Sequence, residues 1–197
     1  MNNGRDCFKI HKTEKIDLAR KMVNLTYSVV ARACQRMLMG KTFWKGAVLP
    51  RVLHGSETVV WSKKDLESIQ RVENGVWRRV LRAPDYAPVV TLQGEIGCSS
   101  VVAKDMKTKL KFASYLFKSE NAVARRIVEQ FGVGGRRATR WSRRVEGYMA
   151  EIGLGWRDLG EMNKREIANK VNQWEEVRWR REIENRSSIE SLSLIHI

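Results

Sequence analysis

The 197-residue sequence predicts an all-α protein, an irregular bundle of about six to eight helices with a helical C-terminal appendage. The three prolines, Pro50, Pro84 and Pro88, fall within one third of the chain, so the remainder is free to form helices. Apolar residues recur at spacings of three and four along most segments, which places them on one face of a helix. No segment keeps the alternation typical of a strand, although residues 58–61 could form a short strand or a loop.

The first two predicted helices cover residues 14–39 and roughly 43–53. Gly40 is a candidate C-terminal stop for the first helix because glycine readily adopts the left-handed conformation found at helix ends. Pro50 is expected to kink or shorten the second helix, and Gly55 is expected to end it.

The third predicted helix runs over residues 62–82. Ser62 and Asp65 form a start that resembles a capping box, with Asp in the place of the preferred Glu. The predicted apolar face consists of Leu66, Ile69, Val72, Val76, Trp77, Val80 and Leu81. Gly75 lies inside the helix at a cost of about 1 kcal/mol relative to Ala, so close packing or a local break is expected there.

Further helices are predicted near 89–95, from Ser99 or Ser100 to about 118, and over 121–131, 136–152 and 163–185. The glycine-rich segment 132–135 is a linker. The predicted organisation is a truncation edge at 1–13, a helical domain at 14–131 with its best-defined part at 14–118, the linker, a basic Trp/Arg-rich helical region at 136–186, and a tail at 187–197. The tail is expected to be either disordered or not native to the protein.

The formal net charge of +15 favours a polyanionic partner, with nucleic acid as the first candidate and a solvated basic surface as the alternative. The three cysteines, Cys7, Cys34 and Cys98, are too few and too far apart for a disulfide framework. They indicate an intracellular, reducing compartment, the nucleus or the cytoplasm. The sequence shows neither an apolar run of membrane-spanning length nor a signal-peptide core, so no membrane partner is predicted.

No catalytic group, metal site or cofactor is predicted in this chain. The sequence contains no Asp-Asp pair and no Cys-x-x-Cys, and residues 132–135 lack the Lys-Ser/Thr of a phosphate loop. The adjacent Glu175 and Glu176 are expected to lie on a solvated helix face.

The candidate nucleic-acid-binding residues form two basic groups. The first is an arginine cluster with a tryptophan inside it, namely Arg136, Arg137, Arg140, Trp141, Arg143 and Arg144. Guanidinium groups can hold phosphates and an indole ring can stack on an unpaired base, whereas the alternative is a solvated helix with Trp141 in the core. The second is a lysine row on one helix face, namely Lys104, Lys107, Lys111 and Lys118, from which Lys109 points away.

The remaining tryptophans divide into two sets. Trp44, Trp61 and Trp77 are predicted to anchor the core, since buried indoles are more often packed than used as base platforms. For Trp174 and Trp179, a stacked surface helix or a partner contact is weighed equally with burial.

One stretch, residues 40–97, carries a family pattern. Its elements are the segment Leu-Pro-Arg-Val-Leu-His-Gly at 49–55, Trp61, the segment Leu-Glu-Ser-Ile-Gln at 66–70 with Asn74, and the segment Arg-Val-Leu-Arg-Ala-Pro at 79–84. This stretch resembles the region just downstream of the polymerase core in LINE-type (jockey-like) non-LTR retrotransposon reverse transcriptases. His54 replaces the Tyr that is usual in that family. The resemblance extends over roughly residues 7–120 and is weak beyond.

The resemblance implies a thumb-like, post-palm region that cradles a template–product duplex through its backbone, without reading its sequence. The parent would be an RNA-directed DNA polymerase, encoded by a transposable element, whose paired aspartates hold Mg ions. This chain would be a truncated part of it, inactive alone, with nucleic acid and the remainder of the polymerase as partners. The alternatives are a helical protein–protein adaptor and a stand-alone basic nucleic-acid-binding module.

Overall fold

The computed structural model describes residues 8–124, 126 and 139–194, with side chains described as far as residue 185. Within these residues the fold is all-α, as predicted, with nine helices and no strand. The helices are α1 Lys9–Ala31, α2 Arg36–Phe43, α3 Leu49–Val52, α4 Lys63–Leu81, α5 Val89–Ile96, α6 Val101–Lys118, α7 Arg140–Glu151, α8 Trp156–Glu161 and α9 Lys164–Leu194. A π-helical turn, Trp44–Val48, joins α2 to α3. None of the described helices combines the length and the apolar content needed to cross a bilayer.

The chain divides into two compact units after Val102, inside α6. Val101 is buried in the core of the first unit, whereas Met106 and Leu110 belong to the core of the second unit. The predicted domain at 14–131, with its best-defined part at 14–118, therefore differs from the observed division. The predicted linker at 132–135 lies outside the described residues.

The core of the first unit is built around three tryptophans. Trp44, Trp61 and Trp77 expose at most 1 % of their surface, which confirms their predicted role as core anchors. The rings of Trp44 and Trp77 meet edge to face, with centroids 6.2 Å apart. The indole Nε1 of Trp44 donates to the buried Glu73 carboxylate at 3.0 Å, so the carboxylate is compensated by a hydrogen bond inside the core.

Helix α4 begins as the sequence predicts. The Ser62 hydroxyl accepts from the Asp65 backbone N–H at 3.2 Å, and the Ser62 backbone N–H donates to the Asp65 carboxylate at 2.9 Å. This reciprocal pair is a complete capping box, so Asp can replace Glu at the third position. At the other end, Arg82 takes the left-handed conformation with φ 54° and terminates the helix.

The predicted helix over 14–39 is interrupted, because α1 ends at Ala31 and α2 begins at Arg36. Gly40 is consequently not a helix stop but a buried position within α2. A Cβ atom at Gly40 would lie 3.0 Å from the Val80 Cγ2 atom of α4 and 3.3 Å from the Val30 Cγ2 atom of α1. The glycine allows α2 to approach both helices closely, and α2 continues into the π-helical turn rather than ending.

Gly75, unlike Gly40, has open space around it. A Cβ atom there would meet nothing within 4 Å, so neither close packing nor a break explains this glycine, and the expectation for Gly75 is wrong. Gly55 adopts φ 78° in the turn after α3, but the helix already ends at Val52 with Leu53 as its C-cap, three residues before the glycine that was expected to end it.

The two glycines give a matched pair of alanine substitutions. Gly40→Ala is expected to destabilise the protein by about 1–3 kcal/mol, because the added methyl group would press on the stiff Val80 side chain. Gly75→Ala is expected to stabilise it by about 0.5–1 kcal/mol, because alanine is the better helix former and the space is open. Urea denaturation of both variants measures the difference. Equal effects would contradict the close approach of α2 to α4.

Helix α9 continues through Leu194, whereas residues 187–197 were predicted to be a disordered or non-native tail. The physical reason is that no glycine or proline follows residue 160, so nothing in the local sequence terminates the helix. Residues 195–197 lie outside the described part.

Candidate nucleic-acid interface

The second unit is built on α6 and α7, which run antiparallel. Asp105 near the start of α6 contacts Tyr148 near the end of α7, and Phe112 further along α6 contacts Trp141 at the start of α7. Their shared core includes Met106 and Leu110 of α6, Val145 and Met149 of α7, Leu159 of α8, and Ile167 and Val171 of α9. The pairing places the described members of the two predicted basic groups on neighbouring helices.

A polar cluster is buried between these two helices. The Lys109 ammonium pairs with the Asp105 carboxylate, and neither side chain is exposed to solvent. The Tyr148 hydroxyl donates to the other carboxylate oxygen at 2.7 Å. Burial raises the pKa of the Asp105 carboxyl, against the opposing effect of the Lys109 charge. Burial and the nearby carboxylate also raise the pKa of Tyr148, so its hydroxyl stays protonated and acts as a hydrogen-bond donor.

This cluster was not predicted from the sequence, although Lys109 was expected to point away from the lysine row and does so. The available signal is the i, i+4 spacing of Asp105 and Lys109, each next to a residue of the apolar side of α6, Met106 and Leu110. The partner Tyr148 is 43 positions away and has no local signature. The cluster connects α6 to α7 in one register, which in turn positions the surrounding basic residues.

Two arginines of the predicted cluster lie in the open at the start of α7. Arg140 is the first residue of the helix and Arg143 lies one turn further on, and both are exposed. Thr139 caps the helix by accepting from the Ser142 backbone N–H at 3.1 Å. Arg136 and Arg137 of the same predicted cluster lie outside the described residues.

These arginines occupy the unfavourable end of the helix. The positive end of the helix dipole is at its N-terminus, where a cation typically costs about 0.3–1 kcal/mol, and the first turn of α7 has no acidic residue to offset it. In α4, by contrast, Lys63 and Lys64 share the first turn with Asp65. Helix stability therefore does not explain Arg140 and Arg143, whereas the same positive end would attract a phosphate.

Arg144 and Trp141 are more buried than Arg140 and Arg143. The Arg144 guanidinium lies over the Tyr148 ring, 5.7 Å from its centroid. Trp141 is half-buried against the second core and meets Phe112 edge to face, with centroids 6.0 Å apart. Trp141 thus packs on the core along one side. This burial was the alternative to a role of Trp141 in base stacking.

The four lysines of the predicted row have different surroundings in the structure. Lys104, Lys107 and Lys111 are half-buried on one face of α6. Lys118 donates to the carbonyl oxygens of Met162 at 2.7 Å and of Glu161 at 3.4 Å, just past and at the C-terminal end of α8. A cation is favoured at a helix C-terminus, so Lys118 has a structural role in the second unit, and its role in nucleic-acid binding stays a prediction.

An aromatic series, which the sequence analysis did not single out, continues from Trp141 towards solvent. It consists of Trp141, Phe112 and Tyr115. The rings of Phe112 and Tyr115 lie 6.4 Å apart at an angle of 22°, and Tyr115 is 58 % exposed. The i, i+3 spacing of the two α6 rings is visible in the sequence, but their contact with α7 is not.

Other predicted positions on α9 are placed as follows. Glu176 is exposed and pairs with Arg180 at 2.6 Å, as expected for a solvated face. Glu175, however, is only 4 % exposed, because it continues the buried positions Ile167 and Val171 at intervals of four. The expectation of a solvated Glu175 is therefore wrong.

Trp174 and Trp179 are both half-buried, and Trp174 packs against the second core. The Arg178 guanidinium lies 5.6 Å from the Trp174 ring centroid. Beside Trp174 is a groove of about 550 Å³, lined from the end of α7 by Glu151 and Ile152 and from α9 by Lys170, Gln173, Trp174, Val177, Arg178, Arg181, Glu182 and Asn185. The charges around this groove are mixed in sign, unlike those at the start of α7.

Among the residues that the structure describes, no group of three His, Cys, Asp or Glu side chains could hold a metal ion. No family model, curated protein or solved structure matches the chain.

Proposed function

We propose that the chain is a non-catalytic, nucleic-acid-binding part of a LINE-type RNA-directed DNA polymerase, which holds template or product through phosphate contacts. The observation that carries the binding role is the pair of exposed arginines, Arg140 and Arg143, at the N-terminal end of α7. Their charges oppose the helix dipole, so a bound anion would relieve a cost that the free protein bears. Lys104, Lys107 and Lys111 on the neighbouring helix would extend the contact.

Several residues of the family pattern in 40–97 lie in the core of the first unit. Trp61, Leu66 and Ile69, all elements of the family pattern, are buried in one core. These three residues of the pattern therefore help to maintain the folded core of the first unit. A post-palm segment that supports a duplex needs the same combination of a rigid helical core and basic side chains.

Binding through phosphate contacts predicts how the affinity depends on salt concentration. The logarithm of duplex affinity should fall with the logarithm of salt concentration, with a slope of about −0.9 for each phosphate contact. Arg140→Gln with Arg143→Gln should weaken binding to any duplex sequence and reduce the steepness of this slope by up to about two contacts. Fluorescence anisotropy over a salt series measures both quantities.

The matched control is Lys63→Gln with Lys64→Gln, which removes the same charge from exposed first-turn positions of α4 in the other unit. Circular dichroism should be unchanged in both variants because Gln is a comparable helix former. An equal loss of affinity in the control would show that net charge, rather than the α7 site, determines binding. A salt-independent affinity of the unaltered chain would contradict the proposal as a whole.

The adaptor alternative has one observation in its favour, the groove beside Trp174. Apolar side chains, Ile152, Trp174 and Val177, line it together with charges of both signs, a composition typical of protein contacts. If the unaltered chain bound no nucleic acid, this groove would become the first site to examine, and Val177→Asp would test it by adding a charge to its apolar wall.

A further inference from the structure

The exposed ring of Tyr115 is held in place by other aromatic side chains. Phe112 meets Trp141 edge to face at 84°, and Trp141 is packed against the core, so the orientation of Phe112 is constrained from α7. Tyr115 then lies nearly parallel to Phe112, at 22°. A ring that is ordered before binding loses little conformational entropy when a ligand stacks on it.

Other exposed tyrosines lack this support. Tyr27 and Tyr86 are 52 % and 88 % exposed, and in the described part of the chain neither ring stacks on another aromatic ring. Exposure alone therefore does not distinguish Tyr115, whereas its position at the end of an ordered aromatic series does. A flat, ordered, solvent-facing ring is a suitable surface for a planar ligand.

Two cationic residues neighbour this series along the chain. Lys111 is one helical turn before Tyr115 on α6, and Arg140 immediately precedes Trp141 on α7. Positions four apart on a helix are neighbours on its surface, so the Lys111 ammonium and the Tyr115 ring occupy adjoining positions. The combination of an aromatic surface with flanking cations matches the alternation of bases and phosphates in a nucleic-acid strand.

We infer that the edge between α6 and α7 binds single-stranded nucleic acid, with an unpaired base stacked on Tyr115 and the adjoining phosphates near Arg140 and Lys111. The inference rests on the proposed nucleic-acid-binding function and adds the substrate class to it. A base in a duplex has both faces covered by its neighbours, so only an unpaired base can use the Tyr115 ring. The interaction is independent of sequence because every base has a stacking face.

The test compares single-stranded and duplex affinity in the full chain. Fluorescence anisotropy with labelled oligo(dT) and with a labelled duplex is measured for the unaltered chain, Tyr115→Ala, Tyr115→Phe and the control Tyr27→Ala. Tyr115→Ala should weaken oligo(dT) binding by about 5- to 100-fold and leave duplex binding within about twofold. Tyr115→Phe keeps the ring and should retain the affinity, and Tyr27→Ala should have no effect.

The outcomes separate this inference from the function on which it rests. If the chain binds both nucleic acids in a salt-dependent manner but Tyr115→Ala changes neither affinity, or changes both equally, the single-strand site is wrong and the proposed function stands. If the unaltered chain binds neither nucleic acid, the proposed function is wrong and the single-strand site is wrong with it. Equal thermal unfolding of Tyr115→Ala and the unaltered chain shows that an affinity loss arises from the ring and not from misfolding.

Discussion

Trp77→Ala is expected to reduce the free energy of unfolding by about 3–5 kcal/mol, because the substitution leaves a large cavity in the core of the first unit. Trp77 is only 1 % exposed and its ring lies against that of Trp44. Urea or thermal denaturation measures the loss.

Trp77→Phe is the matched variant. The indole Nε1 of Trp77 has no hydrogen-bond acceptor in the described part of the chain, so phenylalanine removes a buried polar atom together with part of the ring. The loss with Phe should therefore be clearly smaller than the loss with Ala. If Trp77→Ala melted at the same temperature as the unaltered chain, the ring would be exposed in solution and would become a candidate binding surface.

Asp105→Ala is expected to destabilise the second unit by a comparable amount, about 3–5 kcal/mol, since it removes the carboxylate that pairs with the fully buried Lys109 ammonium. The variant also removes the acceptor of the Tyr148 hydroxyl. Both polar groups would then remain inside a core whose other members are mostly apolar. Chemical denaturation provides the measurement.

The control replaces the whole cluster with apolar side chains. The triple variant Asp105→Leu, Lys109→Met and Tyr148→Phe should recover most of the stability, because exchanging a buried ion pair for packed apolar groups is often neutral or favourable. If the triple variant were as unstable as Asp105→Ala, the loss would come from packing volume rather than from an uncompensated charge. If Asp105→Ala had no effect, the cluster would be hydrated in solution.

The candidate site was only partly accessible to sequence reasoning. The local density of arginine in residues 136–144 identifies a basic segment, and two of its described members, Arg140 and Arg143, are exposed as a binding role requires. The hydrogen bond from Lys118 to the Met162 carbonyl oxygen joins residues 44 positions apart, so local sequence does not reveal it. The aromatic series ending at Tyr115 depends in the same way on Trp141 from a different helix.

By itself, the sequence determined the features that neighbouring residues control. The all-α class follows from helical periodicity and the confinement of proline, the start of α4 follows from Ser62 and Asp65, and the burial of the three central tryptophans follows from their apolar surroundings. Each of these signals acts over one or a few helical turns. Short-range spacing along the chain is enough to express them.

The tertiary structure alone decided the features that depend on residues far apart in the chain. Gly40 is needed because Val80 occupies the space that its side chain would fill, and Asp105 is buried because Lys109 and Tyr148 compensate it. Helix α6 divides between two cores because Val101 and Met106 find different partners along the chain. Close packing makes such positions specific to one neighbour, and the identity of that neighbour is not encoded in local periodicity.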